Sequence, residues 1–217
     1  MTQFKGKVTI WPVMNEYHPA RWGRLDILRD IIGDEDLIDI AFQTARESDP
    51  SAILIYNDTN NHILDESVID GSVTSNTKKI VERLKLKGLI DGVGLHMHLD
   101  GANPPSKQAV IQAMRSYGLP VYVTEFDVNM KDVPGSNEER FAKQARVYQE
   151  MIGACLESGV CKTFIQFTPG DQYSWIEHDK SYSGYSLNAD ATAFDDNLQP
   201  KPAYFAMLQA LVISAIP

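Results

Sequence analysis

Residues 120–127 read PVYVTEFD, a short β-branched run that ends in two acidic side chains and decides how the rest of the chain is interpreted. Comparable runs recur along the sequence: KVTIWPVM (7–14), AILIYN (52–57), DGVGLHM (91–97) and KTFIQF (162–167). Their β-branched and aromatic content predicts strands. Because these runs are apolar on both faces, we expect a buried parallel sheet rather than an exposed antiparallel one.

Longer stretches with helical spacing of apolar residues separate these runs. The predicted helices span Asp34 to Glu47, Ser75 to Lys87, Ser106 to Tyr117 and Glu138 to Glu157, with a last helix in PKPAYFAMLQALV. Glycine or proline signals follow the first four, which is typical of helix ends. Strands that alternate with helices imply a parallel sheet with right-handed crossovers.

Two architectures compete for this α/β pattern, an open doubly wound sheet and a (β/α)₈ barrel of TIM-barrel type. No glycine-rich phosphate loop follows a predicted strand, which disfavours a nucleotide-binding doubly wound fold. Polar residues instead follow every predicted strand, and a barrel enzyme builds its active site at that edge. The predicted places are Asn15-Glu16, Asn57-Asp58, His96 and His98, Glu125 and Asp127, and Asp171. Only five strands are predicted, although a closed barrel needs eight.

The composition of the 217 residues predicts one globular domain. Hydrophobic residues make up 43%, enough for a core, and the formal net charge is −9. This acidic balance disfavours a nucleic-acid partner, and no apolar run is long enough to span a membrane. The N-terminus lacks the apolar region of a signal peptide. Cys155 and Cys161 allow two interpretations, two unrelated core residues or a disulfide typical of an oxidising compartment.

Glu16 and Glu125 each end a predicted strand, on units far apart in the chain. Glycoside hydrolysis uses two carboxyl groups, about 5–5.5 Å apart in retaining enzymes and about 6.5–9.5 Å apart in inverting ones. A barrel would bring both glutamates to one rim. The sequence gives no distance between them.

The segments that carry these glutamates resemble glycoside hydrolase family 10, the endo-β-1,4-xylanases. VTIWPVMNE resembles the family strand that ends Trp-Asp-Val-x-Asn-Glu, and PVYVTEFDV resembles the strand with the Thr-Glu-x-Asp core. GLIDGVGLHMHL, ILIYNDTN, DQYSW and LQPKPAY are similar to further family motifs, in the family's order. The chain then corresponds to the C-terminal part of the family, from the acid/base strand onward, as a single partial catalytic domain over residues 1–217.

The resemblance implies roles for individual residues. Glu16 would be the acid/base and Glu125 the nucleophile, with Asn15, His98 and Asp127 as supporting residues. It assigns substrate binding to His96, Asn57, Phe167 and Trp175, and a disulfide to Cys155 and Cys161 in CLESGVC. The two carboxyl groups need different environments. We expect a His and an Asp beside Glu125 but not beside Glu16.

The chain also departs from the family pattern. Pro12 stands where the family has Asp, His96 where it has Gln, and Phe167 where it usually has Trp. The first three βα units have no counterpart, so we expect an incomplete TIM-barrel type repeat of about five units. A half barrel exposes a sheet edge and apolar surface, which predicts self-association to cover them.

The resulting hypothesis is retaining hydrolysis of internal β-1,4 bonds in xylan or a related plant glycan by a secreted protein, with no cofactor, nucleic acid or membrane. One alternative is a catalytically inactive, truncated barrel that binds glycan or a partner protein. Another is a catalytic metal, because His96 and His98 at i, i+2 point the same way and Glu16, His18 and Glu125 share their rim.

Overall fold

The computed structural model describes residues 1–17, 31–64, 73–178, 180, 186 and 188–214. Five parallel strands form one sheet in chain order: β1 (Ile10–Asn15), β2 (Ile53–Thr59), β3 (Gly92–Asp100), β4 (Val121–Asn129) and β5 (Cys161–Gln166). The α-helices are α1 (Asp34–Ser48), α2 (Val73–Leu86), α3 (Lys107–Ser116), α4 (Asn137–Ser158), α5 (Trp175–His178) and α6 (Pro202–Ser214). Short 3₁₀ helices cover Thr2–Phe4 and Asp171–Tyr173.

The prediction of five βα units of TIM-barrel type is confirmed. Neighbouring strands are parallel and consecutive, and each of the first four is followed by a helix before the next strand begins. His18, which the sequence placed near the site rim, lies outside the described residues. In the described part of the chain, every helix is too short or too polar to cross a bilayer.

Helix boundaries follow capping chemistry that is visible in the sequence. The Ser106 side chain accepts a hydrogen bond from the backbone N–H of Ala109 at the start of α3. A reciprocal capping box between Ser136 and Glu139 starts α4, which ends at Gly159 in the left-handed conformation. These contacts satisfy backbone groups that have no partner within the helix.

The two faces of β3 differ in polarity. Val93, Leu95 and Met97 are buried in the main apolar core, together with Val110 and Met114 of α3. Successive strand residues point to opposite faces, so Gly94, His96 and His98 share the other face of the sheet. That face carries the polar residues discussed below.

The strands extend beyond their apolar runs, which corrects the predicted placement of the polar residues. Asn57, His96, His98, Glu125 and Asp127 lie within strands rather than after them. Glu16 follows β1, and Asp171 follows β5. Polar residues can belong to these buried strands because their side chains bond to one another on this face, and buried polar groups need such partners.

Two irregularities in strand pairing align these residues. Leu95 pairs with Val123 and His96 with Glu125, so Thr124 is an extra residue in β4. A second irregularity, between Pro12 and Met14 of β1, brings Asn15 opposite Asn57. A shift of one residue moves a side chain to the other face of the sheet. The bulge at Thr124 therefore puts Glu125 on the face of His96.

Candidate active site

Five polar side chains from three segments form a connected chain of contacts on this face of the sheet. Glu16 follows β1, His96 and His98 belong to β3, and Glu125 and Asp127 belong to β4. The strand register pairs His96 with Glu125 and His98 with Asp127. Residues that pair in neighbouring strands point to the same side, so the register brings the polar residues of β3 and β4 together.

His96 lies between the two glutamates that the sequence singled out. Its Nδ1 is 3.1 Å from Glu16 Oε1, and its Nε2 is 2.8 Å from Glu125 Oε1. The expectation that no His lies beside Glu16 is therefore wrong. The reason is that Glu16, at the end of β1, reaches across β2 to His96 on β3, and His96 itself is 1% exposed.

Glu125 contacts two imidazoles. Besides His96, the Nε2 of His98 lies 3.1 Å from Glu125 Oε2. Burial opposes ionisation of Glu125, but the hydrogen bonds and charges of the two histidines outweigh it and lower its pKa to about 2. The carboxylate of Glu125 is therefore ionised across the neutral and mildly acidic range.

The two histidines favour their protonated forms. Burial opposes the charge on His98, whereas contacts with Asp127 and Glu125 raise its pKa to about 9. His98 Nδ1 is 2.9 Å from Asp127 Oδ2. Burial also opposes the charge on His96, and its contacts with Glu125 and Glu16 raise its pKa above the ordinary value. Contacts with carboxylate side chains therefore favour the charged form of both rings, which burial alone would disfavour.

Asn57 connects the segment that carries Asn15 and Glu16 to the centre of the site. Its amide nitrogen donates to Asn15 Oδ1 at 2.6 Å and lies 2.5 Å from His96 Nε2, and its oxygen accepts from Thr124 Oγ1 at 2.7 Å. Asn57 is buried, so these contacts are with protein groups. A Cβ on Gly94 would come within 1.9 Å of the Asn57 oxygen, so the space for this amide depends on a glycine.

Thr124 and Gly94 lie within motifs quoted above, but neither had a predicted role in the site. Gly94 carried a signal, because a glycine inside a strand often marks a close approach by another group. Thr124 directly precedes the proposed nucleophile, but its contact with Asn57 depends on the bulge and has no local sequence signature.

The backbone of Glu16 has an uncommon conformation. Its φ is +50°, in the left-handed region that residues with a Cβ rarely adopt. The backbone N–H of Glu16 donates to the carbonyl oxygen of Asn57 at 2.9 Å. This bond extends the pairing of β1 with β2 past the last strand residue and fixes where the glutamate leaves the sheet. Such conformations concentrate at functional sites.

Two aromatic side chains pack against His98 from the segment that follows β5. The ring centroids of Phe167 and Trp175 lie 5.2 Å and 5.0 Å from that of His98, both edge-on. The indole N–H of Trp175 donates to Asp127 Oδ2 at 2.9 Å. Because Asp127 also contacts His98, this bond connects Trp175 to the chain of polar side chains.

A buried ion pair anchors the loop that carries Trp175. Lys201 Nζ lies 2.6 Å from Asp171 Oδ2, and both side chains are 5% exposed. The backbone N–H and the hydroxyl of Thr192 donate to the other Asp171 oxygen. At the opposite end of β5, a disulfide joins Cys155 of α4 to Cys161. The start of β5 is therefore bonded to α4, and the segment after β5 is bonded to Lys201.

One set of described residues has the donor atoms and proximity for a metal ion. Ligand atoms of His96, His98 and Glu125 all lie within 4.8 Å of one another. Imidazole nitrogen with carboxylate oxygen is a donor set typical of zinc. Glu16 contacts the other ring nitrogen of His96, on the far side of the ring from Glu125.

Comparisons with known proteins agree on one family. The sequence model of glycosyl hydrolase family 10 matches residues 1–210. Endo-1,4-beta-xylanase B of Thermotoga neapolitana is 34% identical over 97% of this chain and 58% of its own length. Endo-1,4-beta-xylanase 5 of Pyricularia oryzae is 33% identical over 98% of this chain and 50% of its own length.

The fold of this chain is also similar to solved structures. A crystal structure of xylanase 10B from Thermotoga petrophila RKU-1 in complex with xylobiose matches with a TM-score of 0.81 and 31% identity. The match covers 98% of this chain and 62% of that one. The chain thus spans between half and two thirds of the length of these relatives.

Proposed function

Because the chain belongs to glycosyl hydrolase family 10, we propose that it hydrolyses internal β-1,4 bonds of xylan or a related plant glycan with retention of configuration. Glu125 is the nucleophile and Glu16 the acid/base in this proposal. The observation that carries it is the arrangement of two carboxylates around His96, in which Glu125 also contacts His98.

The environment of Glu125 supports its role as nucleophile. A nucleophile must be ionised before the substrate arrives, and the two histidines lower the pKa of Glu125 to about 2. Asp127 contacts the far nitrogen of His98 and so holds the ring that faces Glu125. We assign His98 and Asp127 the role of orienting this carboxylate.

The spacing of the two carboxylates is compatible with the reaction. Contacts of 3.1 Å and 2.8 Å flank the ring of His96 and limit the separation of the contacting oxygens to about 8 Å. That limit includes the spacing of retaining enzymes, about 5–5.5 Å, and part of the range of inverting ones, about 6.5–9.5 Å, so retention is proposed from the family and not from this distance. In this proposal His96 sets the distance between the two catalytic carboxyl groups and also helps to keep Glu125 ionised.

The proposed reaction has two steps. Glu125 attacks the anomeric carbon while Glu16 protonates the leaving oxygen, and Glu16 then activates the water that hydrolyses the glycosyl-enzyme. Asn15, held through its oxygen by Asn57, presents its amide nitrogen to the sugar 2-hydroxyl. Phe167 and Trp175 supply apolar surface for the sugar rings beside His98. Buried Asn57 and His96 act by positioning.

The test is release of reducing sugar from xylan by the wild-type chain, Glu125→Ala and Glu150→Ala. Glu150 is an exposed residue of α4 and serves as the matched control. We expect Glu125→Ala to lower the rate by at least about a thousandfold, as removal of a nucleophile does elsewhere, and Glu150→Ala to leave it unchanged. The anomer that forms first, followed by ¹H NMR, distinguishes retention from inversion.

Three results would contradict parts of this proposal. An initial α-anomer would replace retention by inversion. Equal activity in wild type and Glu125→Ala would remove Glu125 from the mechanism. Xylan binding without turnover by folded protein, unaffected by Glu125→Ala, would favour the alternative of an inactive glycan-binding chain.

We extend the proposal to location and assembly. The disulfide between Cys155 and Cys161 is typical of proteins in oxidising compartments, which supports secretion. The outer strands β1 and β5 are only partly buried, whereas β2, β3 and β4 are mostly buried. Partly exposed edge strands support self-association, which light scattering measures directly.

A further inference from the structure

The Nε2 atoms of His96 and His98 converge on the same carboxylate. His96 Nε2 lies 2.8 Å from one oxygen of Glu125, and His98 Nε2 lies 3.1 Å from the other. The three ligand atoms lie within 4.8 Å of one another. Zinc binds imidazole nitrogen and carboxylate oxygen at about 2.0–2.2 Å, so shifts of less than about 1 Å would bring all three atoms onto one ion.

The outward nitrogens of the two rings have the partners that metal-binding histidines usually have. His96 Nδ1 faces Glu16 at 3.1 Å, and His98 Nδ1 faces Asp127 at 2.9 Å. A metal-binding histidine almost always offers its other nitrogen to a carboxylate, a carbonyl or water, which fixes the ring and its tautomer. Both rings here have a carboxylate in that position, independently of the contacts with Glu125.

We propose that this pair of histidines and Glu125 bind a divalent transition ion, Zn²⁺, and that the bound ion inhibits the chain. His96 and His98 each contribute a deprotonated Nε2, with the displaced protons passing to solvent, Glu125 contributes one oxygen, and water completes the coordination. The ion takes the place of the direct contacts between the imidazoles and Glu125, and of the contact between His96 Nε2 and the amide of Asn57.

Inhibition follows from which atoms the ion occupies. This part rests on the proposed function, in which a Glu125 oxygen attacks the anomeric carbon. A carboxylate that shares an electron pair with Zn²⁺ carries less negative charge on its oxygens, so it is a weaker nucleophile in that attack. His96 is the residue that makes the site, because it stands where the family resemblance has Gln, whose amide nitrogen is no metal ligand. The ion is therefore an inhibitor and not a cofactor.

The experiment measures Zn²⁺ binding by isothermal titration calorimetry on chelator-treated protein, separately from activity. We expect one saturable site in the wild type. His96→Gln replaces the ligating imidazole by an amide. We expect at least about a hundredfold weaker binding, because loss of a group that only hydrogen-bonds to a metal ligand can cost that much. The control is His178→Gln, which alters an exposed histidine bonded to the carbonyl of Gln172 and should bind like wild type.

Two further measurements keep the proposal testable if His96→Gln does not fold. Glu16→Gln retains both ligating histidines and should weaken binding about 10- to 100-fold. Co²⁺ bound to the wild type should give the intense visible absorption of a four- or five-coordinate site. Absence of a saturable site, equal affinity in His96→Gln, or only the weak spectrum of six-coordinate Co²⁺ would each overturn the proposed site.

Activity distinguishes failure of this inference from failure of the proposed function. Zn²⁺ should stop xylan hydrolysis in the wild type at the concentrations that fill the site, and chelation should restore it. Loss of activity on chelation would overturn the inhibitory role and indicate a catalytic metal. If the chain has no hydrolytic activity, the proposed function fails while the binding data still decide whether the site exists.

Discussion

Acid should destabilise this protein through His62, a buried histidine behind the site. His62 is 5% exposed, and its Nδ1 lies 3.1 Å from the backbone carbonyl oxygen of His96, to which it donates when neutral. Burial, opposed by that hydrogen bond and reinforced by the charge of His98, lowers the pKa of His62 from 6.5 to about 4. The folded chain therefore keeps His62 neutral at pH values where the unfolded chain protonates it.

The sign and size of the effect follow from this shift. Above about pH 6.5 neither state binds the proton, and the free energy of unfolding contains no penalty from His62. As the pH falls from about 6.5 to about 4, the unfolded state binds more protons and the folded state loses stability. The difference in pKa corresponds to about 3 kcal/mol in total, of which about 2 kcal/mol is lost by pH 5.

The assay is urea unfolding of wild type and His62→Asn, followed by circular dichroism at about pH 7 and about pH 5. Asn retains a donor near the Nδ1 position but does not titrate. It leaves a small cavity, so the variant is less stable at pH 7, and the comparison is between the two changes with pH. We expect the wild type to lose about 2 kcal/mol more than the variant. His178→Asn is the control and should lose as much as wild type.

Equal losses in wild type and His62→Asn would refute the reasoning. They would mean that His62 is protonated in the folded chain at pH 5, so that burial does not exclude its charge. A smaller loss in the wild type would reverse the sign of the linkage and contradict the lowered pKa of His62.

Two substitutions test how the site is held together. Gly94→Ala places a Cβ 1.9 Å from the Asn57 oxygen, so the amide must leave its buried bonds; we expect a loss of about 1–3 kcal/mol in urea unfolding and slower xylan hydrolysis. Lys201→Met leaves the carboxylate of Asp171 buried without its cation; we expect a loss of about 3–5 kcal/mol in the same assay.

Each substitution has a matched control elsewhere in the chain. A Cβ on Gly153 of α4 meets only the flexible end of Lys107, so Gly153→Ala should be neutral or stabilise the helix by up to about 1 kcal/mol. Lys107→Met removes an ion pair with exposed Glu157 and should cost less than about 1 kcal/mol. Equal changes in the free energy of unfolding for a test variant and its control would show that burial does not determine the loss of stability.

Much of the fold could be predicted because its signals are local. The helix predicted over Glu138 to Glu157 spans Asn137–Ser158, and the one predicted over Ser106 to Tyr117 spans Lys107–Ser116. Capping serines and a C-terminal glycine fix these ends through bonds within a few residues. The strand ends were predicted less well, because residues such as Asp127 continue a strand only when side chains from other strands pair with them.

The sequence by itself determined the order of βα units, the family, and which carboxylates, histidines and amides are available to a site. These depend on periodicity, caps and motifs that lie within short stretches of chain. Only the tertiary structure decided that His96 lies between Glu16 and Glu125, and that Thr124 is the extra residue in β4. The physical reason is that the register between neighbouring strands decides which side chains lie on the same face of the sheet. One added residue reverses which face a side chain occupies, and its place is defined by pairing between strands that are distant in the sequence.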